Sequence, residues 1–237
     1  MTSAQTIVID HLARLDDGSV AVAGIDGGHD HVAPRHENGW DTSATSRQGG
    51  PFAVGELVDL GFSRRVGVAP LVEEREVEQA SLRPLGRITD GDFWSMLETL
   101  GQDSLPAIYG DDLTRQSSGT ACVPEGRGRA SLGVLRCPGP AELFRRGGQL
   151  RMGIDDLQLG SLDLAVFDFR LRDEHGVPID PLWKVIRRRV LAGEPVILSV
   201  GLSRTFNGSH WLRVDNIHFR DYFDDHPVFR VYRGGAN

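Results

Sequence analysis

Asn207-Gly208 stands between two apolar runs, "PVILSVGL" (195–202) and "HWLRVDNIHF" (210–219). Asn-Gly supplies the positive φ that a tight turn between antiparallel strands requires, so the stretch from Ser199 to Val214 is predicted to be a β-hairpin. The same eight residues at its bend hold Ser203, Arg204, Asn207 and His210, which is also the make-up of a catalytic or binding loop. The pattern of short apolar run, turn and short apolar run recurs along the chain. "TIVIDHLARL" and "GSVAVAGID" flank Asp16-Asp17-Gly18, and "AVGELVDLGF", "SLGVLRC", "QLRMGID" and "LDLAVFDFRL" follow. These runs are strand-length, and the 29 glycines suit many tight turns.

Two segments carry helical spacing. In "TDGDFWSMLETLG", Thr89 or Asp90 caps a helix whose apolar face is Phe93, Met96, Leu97 and Leu100, stopped at Gly101. In "DPLWKVIRRRVLAG", Asp180 is expected to cap a helix whose first residue is Pro181, with Leu182, Val185, Ile186 and Val190 on one side, ended by Gly193. Residues 65–90 have no clean period and read as a surface connection. Residues 101–130 read as loop-rich, with "RQSSGTACVPEGRGRA" mobile.

From Ser131 onward the order is therefore strand, strand, strand, helix, strand, strand. That is the order of an OB-fold, a five-stranded Greek-key barrel with its helix between the third and fourth strands. The first half follows a looser version of the same plan. The expected fold is mainly β: two OB-like Greek-key barrels with short helices, an N-terminal one over residues 1–130 and a C-terminal one over 131–237. A chain of 237 residues is long enough to bury the cores this needs.

The segments "VIDHLAR…GSVAVAGID", "GELVDL", "SLGVLRC", "DLAVFDFRL" and "ILSVGLSRTFNGSHWLRV" together resemble the bacterial dual-OB domain family. The resemblance spans most of residues 5–218 and rests on the order of strand and turn signals. It implies two OB-like barrels and a place among prokaryotic proteins of genome conflict and nucleic-acid metabolism. It carries over no catalytic residues. The Arg-, Gly- and Ser-rich stretch 111–130 and the tail past His218 depart from it.

A net charge of −7 argues against binding nucleic acid through overall positive charge, so any such site must be a local patch. Lys184 is the only lysine, which weakens mechanisms that need a catalytic amine. Cys122 and Cys137 are too few for a zinc framework. The start "MTSAQTIVIDH" lacks a basic, then apolar, leader, and no run is long enough to span a bilayer; the expectation is a cytoplasmic protein with no membrane partner.

Four groups of residues are candidates for chemistry. At the hairpin bend, Arg204 can meet a phosphate while Phe206 or Trp211 stacks a base; the structural alternative is a bare turn with Trp211 in the core. A Ser-His nucleophile there lacks both a Gly-x-Ser-x-Gly elbow and an acid to orient His210. In "HDHVAPRHE", His29 and His31 alternate along one face and, with His36, could make a three-ligand metal set that His11 could join; the spacing matches no zinc motif, and the favoured reading is surface histidines in a polar loop. In "RDYFDDHP", Asp221, Asp224, Asp225 and His226 could hold a divalent ion, or simply make a solvated acidic turn. Arginine pairs at Arg64-Arg65, Arg127/Arg129, Arg145-Arg146 and Arg187–Arg189 would track phosphates if they converge.

These readings lead to a non-catalytic module for single-stranded nucleic acid or a nucleotide. Arg64, Arg65, Arg204, Phe206 and Trp211 are its binding residues, and no catalytic set, metal or other cofactor is assigned. The alternatives are a protein-interaction subunit of a larger complex and a metal-dependent phosphoesterase.

Overall fold

The computed structural model describes residues 5–137 and 139–221. Its first sheet has seven strands: β1 (Thr6–Arg14), β2 (Val20–Asp26), β3 (His31–Arg35), β4 (Glu56–Asp59), β5 (Ser63–Arg65), β6 (Glu74–Val77) and β7 (Arg83–Arg87). Gly18, at φ 84°, makes the turn that lets β2 fold back antiparallel on β1. β3 pairs antiparallel with β2 and parallel with β6, which in turn pairs antiparallel with β5. The other edge of β1 takes β4, and β7 adds beyond it. β4 and β5 thus sit towards opposite margins of the sheet, yet only residues 60–62 separate them. Three residues cannot span a flat sheet of this width, so the sheet curls until its margins approach.

The helix α1 (Asp90–Leu100) follows, with Thr89 accepting from the Asp92 amide at its N-terminus. Phe93, Trp94 and Leu97 are buried in the first core. After it come the short helix α2 (Leu105–Tyr109) and the hairpin β8 (Thr114–Arg115) and β9 (Ala121–Pro124).

The second sheet continues with β10 (Leu132–Arg136), β11 (Glu142–Arg146), β12 (Gln149–Asp156), β13 (Gly160–Val166), the helix α3 (Asp180–Leu191), β14 (Ile197–Leu202) and β15 (Ser209–His218). β10 pairs antiparallel with β14, β14 antiparallel with β15, β15 parallel with β13, β13 antiparallel with β12, and β12 antiparallel with β11. Here too the two margins, β10 and β11, are joined by a short link, residues 137–141. β10 and β11 therefore act as two halves of one bent strand, and the pairing order is that of an OB-like barrel with α3 between its third and fourth strands. Asn207 (φ 53°) and Gly208 (φ 71°) make the bend between β14 and β15. Both curled sheets and both expected helices are thus present in a mainly β chain.

Several local expectations are overturned. The stretch expected to be mobile holds the β8–β9 hairpin, and β9 pairs with the start of β15. Ala121 and Val123 are wholly buried there. Leu105, Ile108, Tyr109 and Leu113 also pack into the second core, which therefore begins well before residue 131. Polar residues around each short apolar run had hidden this. Residues 65–90 are not a bare connection: β6 lies inside the sheet, paired on both sides. Phe62, the last apolar residue of the run "AVGELVDLGF", lies outside β4 and is 72% exposed, the chain turning at Gly61 (φ 63°).

Each barrel has its own apolar core, but the first extends across the boundary to Val134, Phe169 and Ile197. The barrels meet where β1 crosses β15. The Arg14 amide donates to the Phe167 carbonyl at 2.8 Å. Asn216 accepts from the Leu12 amide at 2.5 Å and donates to the Leu12 carbonyl at 3.3 Å, as a neighbouring strand would. No helix among the described residues is long and apolar enough to cross a membrane.

Candidate functional site between the barrels

Two β-bulges face one another at this crossing. In β1 the pairing steps from Ile9↔Gly24 to His11↔Ala23, leaving Asp10 as the extra residue. In β15 it steps from Asn216↔Ser199 to Val214↔Val200, leaving Asp215 as the extra residue. A bulge re-aims side chains out of strict alternation. Asp10 and His11, adjacent in sequence, consequently reach the same buried place.

His11 is the centre of the arrangement. Its Nδ1 lies 3.2 Å from Asp215 Oδ2, and its Nε2 lies 3.3 Å from Asp10 Oδ2. Asp215 is also held by Arg213 Nε at 2.6 Å. His31 Nε2, from β3, comes within 3.4 Å of the same Asp10 oxygen, and the two imidazoles meet edge to face at 5.4 Å between centroids. The Ser199 hydroxyl lies 3.3 Å from Asp10 Oδ2 and 2.9 Å from His218 Nε2. Gly201 makes room for this set: a Cβ there would sit 2.4 Å from Asp215 Oδ2.

The charges sustain one another. Burial alone would raise the carboxyl of Asp10, but His11 and His31 beside it hold it below its ordinary value. Burial raises Asp215 likewise, and Arg213 and His11 more than reverse this. Burial lowers His11, yet Asp10 and Asp215 on its two sides raise it above the usual histidine value. His218 differs: burial, with Arg170 adding repulsion, lowers it to about 3 despite Asp10 and Asp168. His218 thus stays neutral when folded but takes a proton below about pH 6.5 when unfolded. Its contribution to stability is present above that pH and is lost as pH falls from about 6.5 towards 3. His11, raised, contributes oppositely: its stabilisation is lost as pH rises through its folded value. The two are separable. Wild type should lose urea midpoint relative to a His218→Gln variant as pH falls from 7 to 4, and a constant difference would contradict the assignment.

Above the bulges an open cleft of about 360 Å³ separates the barrels. Its floor includes His11 and Asp215. One wall is β2 with residues 33–40, and the other is Ser131–Leu132, Leu202, Arg204 and Arg213. The buried Glu73 carboxylate ties the walls by accepting from the Ser131 amide at 2.9 Å and hydroxyl at 2.7 Å.

The residues singled out from the sequence are distributed as follows. Arg204 is 66% exposed, at the cleft mouth, with Nη2 3.8 Å from Glu74 Oε1. Phe206 is 65% exposed at the same bend. Trp211 is partly exposed rather than in the core, its Nε1 donating to the Phe206 carbonyl at 3.2 Å. His210 latches the bend through the Ser203 carbonyl at 2.8 Å and Thr205 Oγ1 at 3.2 Å. Arg64 pairs with Glu76 across β5 and β6. Arg65, next along the strand, takes the opposite face. Four of the other arginines are held by local partners: Arg129 by the Ala107 and Ile108 carbonyls, Arg145 by Asp180, Arg146 by Asp163, and Arg189 by Glu194 and Asp221.

The three-histidine set is corrected. His29 is in the turn before β3 at φ 70°, and His36 stacks on Trp40, so only His31 reaches the buried cluster, where it joins His11 and Asp10. Asp224, Asp225 and His226 lie outside the described residues. Sequence reading missed Asp10, Asp215, Ser199 and His218. The signal was present: "DH" and "DN" interrupt otherwise apolar strands, and adjacent polar residues in a buried strand mark a bulge. No family model matches the chain, and neither does any curated protein.

Proposed function

We propose that the protein is a non-catalytic binding module for a nucleotide or a short single strand of nucleic acid, received in the cleft between its two OB-like barrels. The observation that carries this reading is the position of Arg204. The bend between the fourth and fifth strands of an OB-like barrel is a common ligand-holding loop, and here it places Arg204 on a cleft also lined by Arg35 and Arg213. Phe206 and Trp211 beside it offer exposed ring area for stacking. The cavity volume is that of a small-ligand pocket. Kinship with the dual-OB domain family, and a role in prokaryotic genome conflict, belong to the same proposal.

The test is fluorescence anisotropy with a labelled ten-residue oligothymidylate and with labelled ATP, at about 50 mM salt. Binding should weaken steeply with added salt. Arg204→Ala should raise Kd by about ten-fold and lower the salt slope by about 1, and Phe206→Ala or Trp211→Ala should weaken binding with little change of slope. Absence of binding to either probe at low salt would overturn the reading in favour of a protein-interaction subunit.

A further inference from the structure

We infer that Asp10, His11 and His31 form a binding site for a divalent cation of the zinc class. The inference stands on the geometry of the seam and does not depend on what the cleft binds.

The three ligand atoms are one carboxylate oxygen and two imidazole nitrogens, all within 4.8 Å of one another. His11 Nε2 and His31 Nε2 each approach Asp10 Oδ2, at 3.3 and 3.4 Å. Neither contact counts as a hydrogen bond, so His11 Nε2 and His31 Nε2 are buried without a partner; the other Asp10 oxygen, Oδ1, is also without one, whereas Oδ2 accepts from Ser199. Asp10 is fully buried and the His11 side chain is 2% exposed, while the His31 side chain, at 15%, is the member nearest solvent. Several polar atoms of this kind converging on one point need an explanation.

A tetrahedral ion supplies one. Zinc–nitrogen and zinc–oxygen bonds of about 2.0–2.2 Å put neighbouring ligand atoms about 3.3–3.5 Å apart, the edge of the coordination tetrahedron. The two contacts to Asp10 Oδ2, 3.3 and 3.4 Å, match that edge, and the two imidazole nitrogens lie within 4.8 Å of each other. Asp215 adds a second, independent feature. By accepting from His11 Nδ1 it leaves Nε2, the nitrogen nearer Asp10, as the one with the free lone pair, as carboxylates behind metal-bound histidines do. Arg213, in turn, fixes Asp215. Two imidazoles with one carboxylate suit zinc or a neighbouring transition ion over magnesium or calcium, which prefer oxygen donors. Three protein ligands leave a fourth position for solvent or for a molecule entering the cleft, which His11 lines.

The test uses the full chain, stripped with chelator and dialysed against Zn2+ or Co2+ without any nucleotide. One equivalent of Zn2+ should bind, the melting temperature should rise with free Zn2+, and Co2+ should give the intense visible absorption of a four-coordinate ion. His31→Ala and Asp10→Asn should abolish the absorption and the thermal shift. His31 is the partly exposed member, so its variant should keep the wild-type far-UV spectrum and remain interpretable if Asp10→Asn unfolds. His29→Ala, His36→Ala and Cys122→Ser/Cys137→Ser should retain uptake. No uptake by wild type, uptake unchanged in folded His31→Ala, or loss on replacing the cysteines would each overturn the inference. A proton shared by His11, Asp10 and Asp215 would then account for the cluster.

Discussion

Replacing Arg170 by alanine should destabilise the protein by about 3–5 kcal/mol, among the largest effects of any single change outside the apolar cores. Arg170 is the largest fully buried side chain among the described residues. Its guanidinium donates to both oxygens of Asp168, at 2.9 and 2.6 Å, and to the Ile217 carbonyl at 2.7 Å. Asp168 in turn accepts from the Ile217 amide at 3.0 Å. Truncation would leave a buried carboxylate without its counter-charge and a β15 carbonyl without this donor. Arg170→Lys should rescue little, because an ammonium cannot reproduce the forked contact. The double change Asp168→Asn/Arg170→Met should recover part of the loss by removing the stranded charge. Urea unfolding of the four proteins checks this; a loss below about 1 kcal/mol for Arg170→Ala would mean that water reaches the pair.

Asn216→Leu should cost about 2 kcal/mol or more, since it strips the Leu12 amide of its acceptor in a place without solvent. The two atoms joined lie 204 residues apart, so the effect bears on how the barrels cohere. Amide exchange at Leu12 should accelerate, and thermal unfolding should broaden or split as the barrels lose their shared step. An unchanged, single sharp transition would mean that the apolar contacts of Phe169 and Ile197 hold the halves together unaided.

The parts of the fold legible in the sequence were those set by neighbours in the chain. Asn207-Gly208 dictates a turn and Asp180-Pro181 a helix start, and the order of strands about α3 then restricts the pairings. Closure of each sheet is a further step, visible only once β4 and β5, or β10 and β11, are seen to occupy the two margins. The seam was not legible because its members come from remote strands: His11 meets Asp215, and Asp10 meets Ser199. Both bulges also break the two-residue period on which strand reading depends. Of the five residues chosen from the sequence, Arg204 faces the cleft, whereas the adjacent Arg64 and Arg65 take opposite faces of one strand.

The cleft between the barrels is the proposed ligand site. The most direct measurement is an NMR titration of the isotopically labelled protein with unlabelled oligothymidylate, following backbone amides. Shifts should concentrate on residues 19–23, 36–40, 202–206 and 211–215, and Arg204→Ala should diminish them. Shifts centred instead on α3 or on the outer strands β11 and β12, with those cleft amides unmoved, would contradict it.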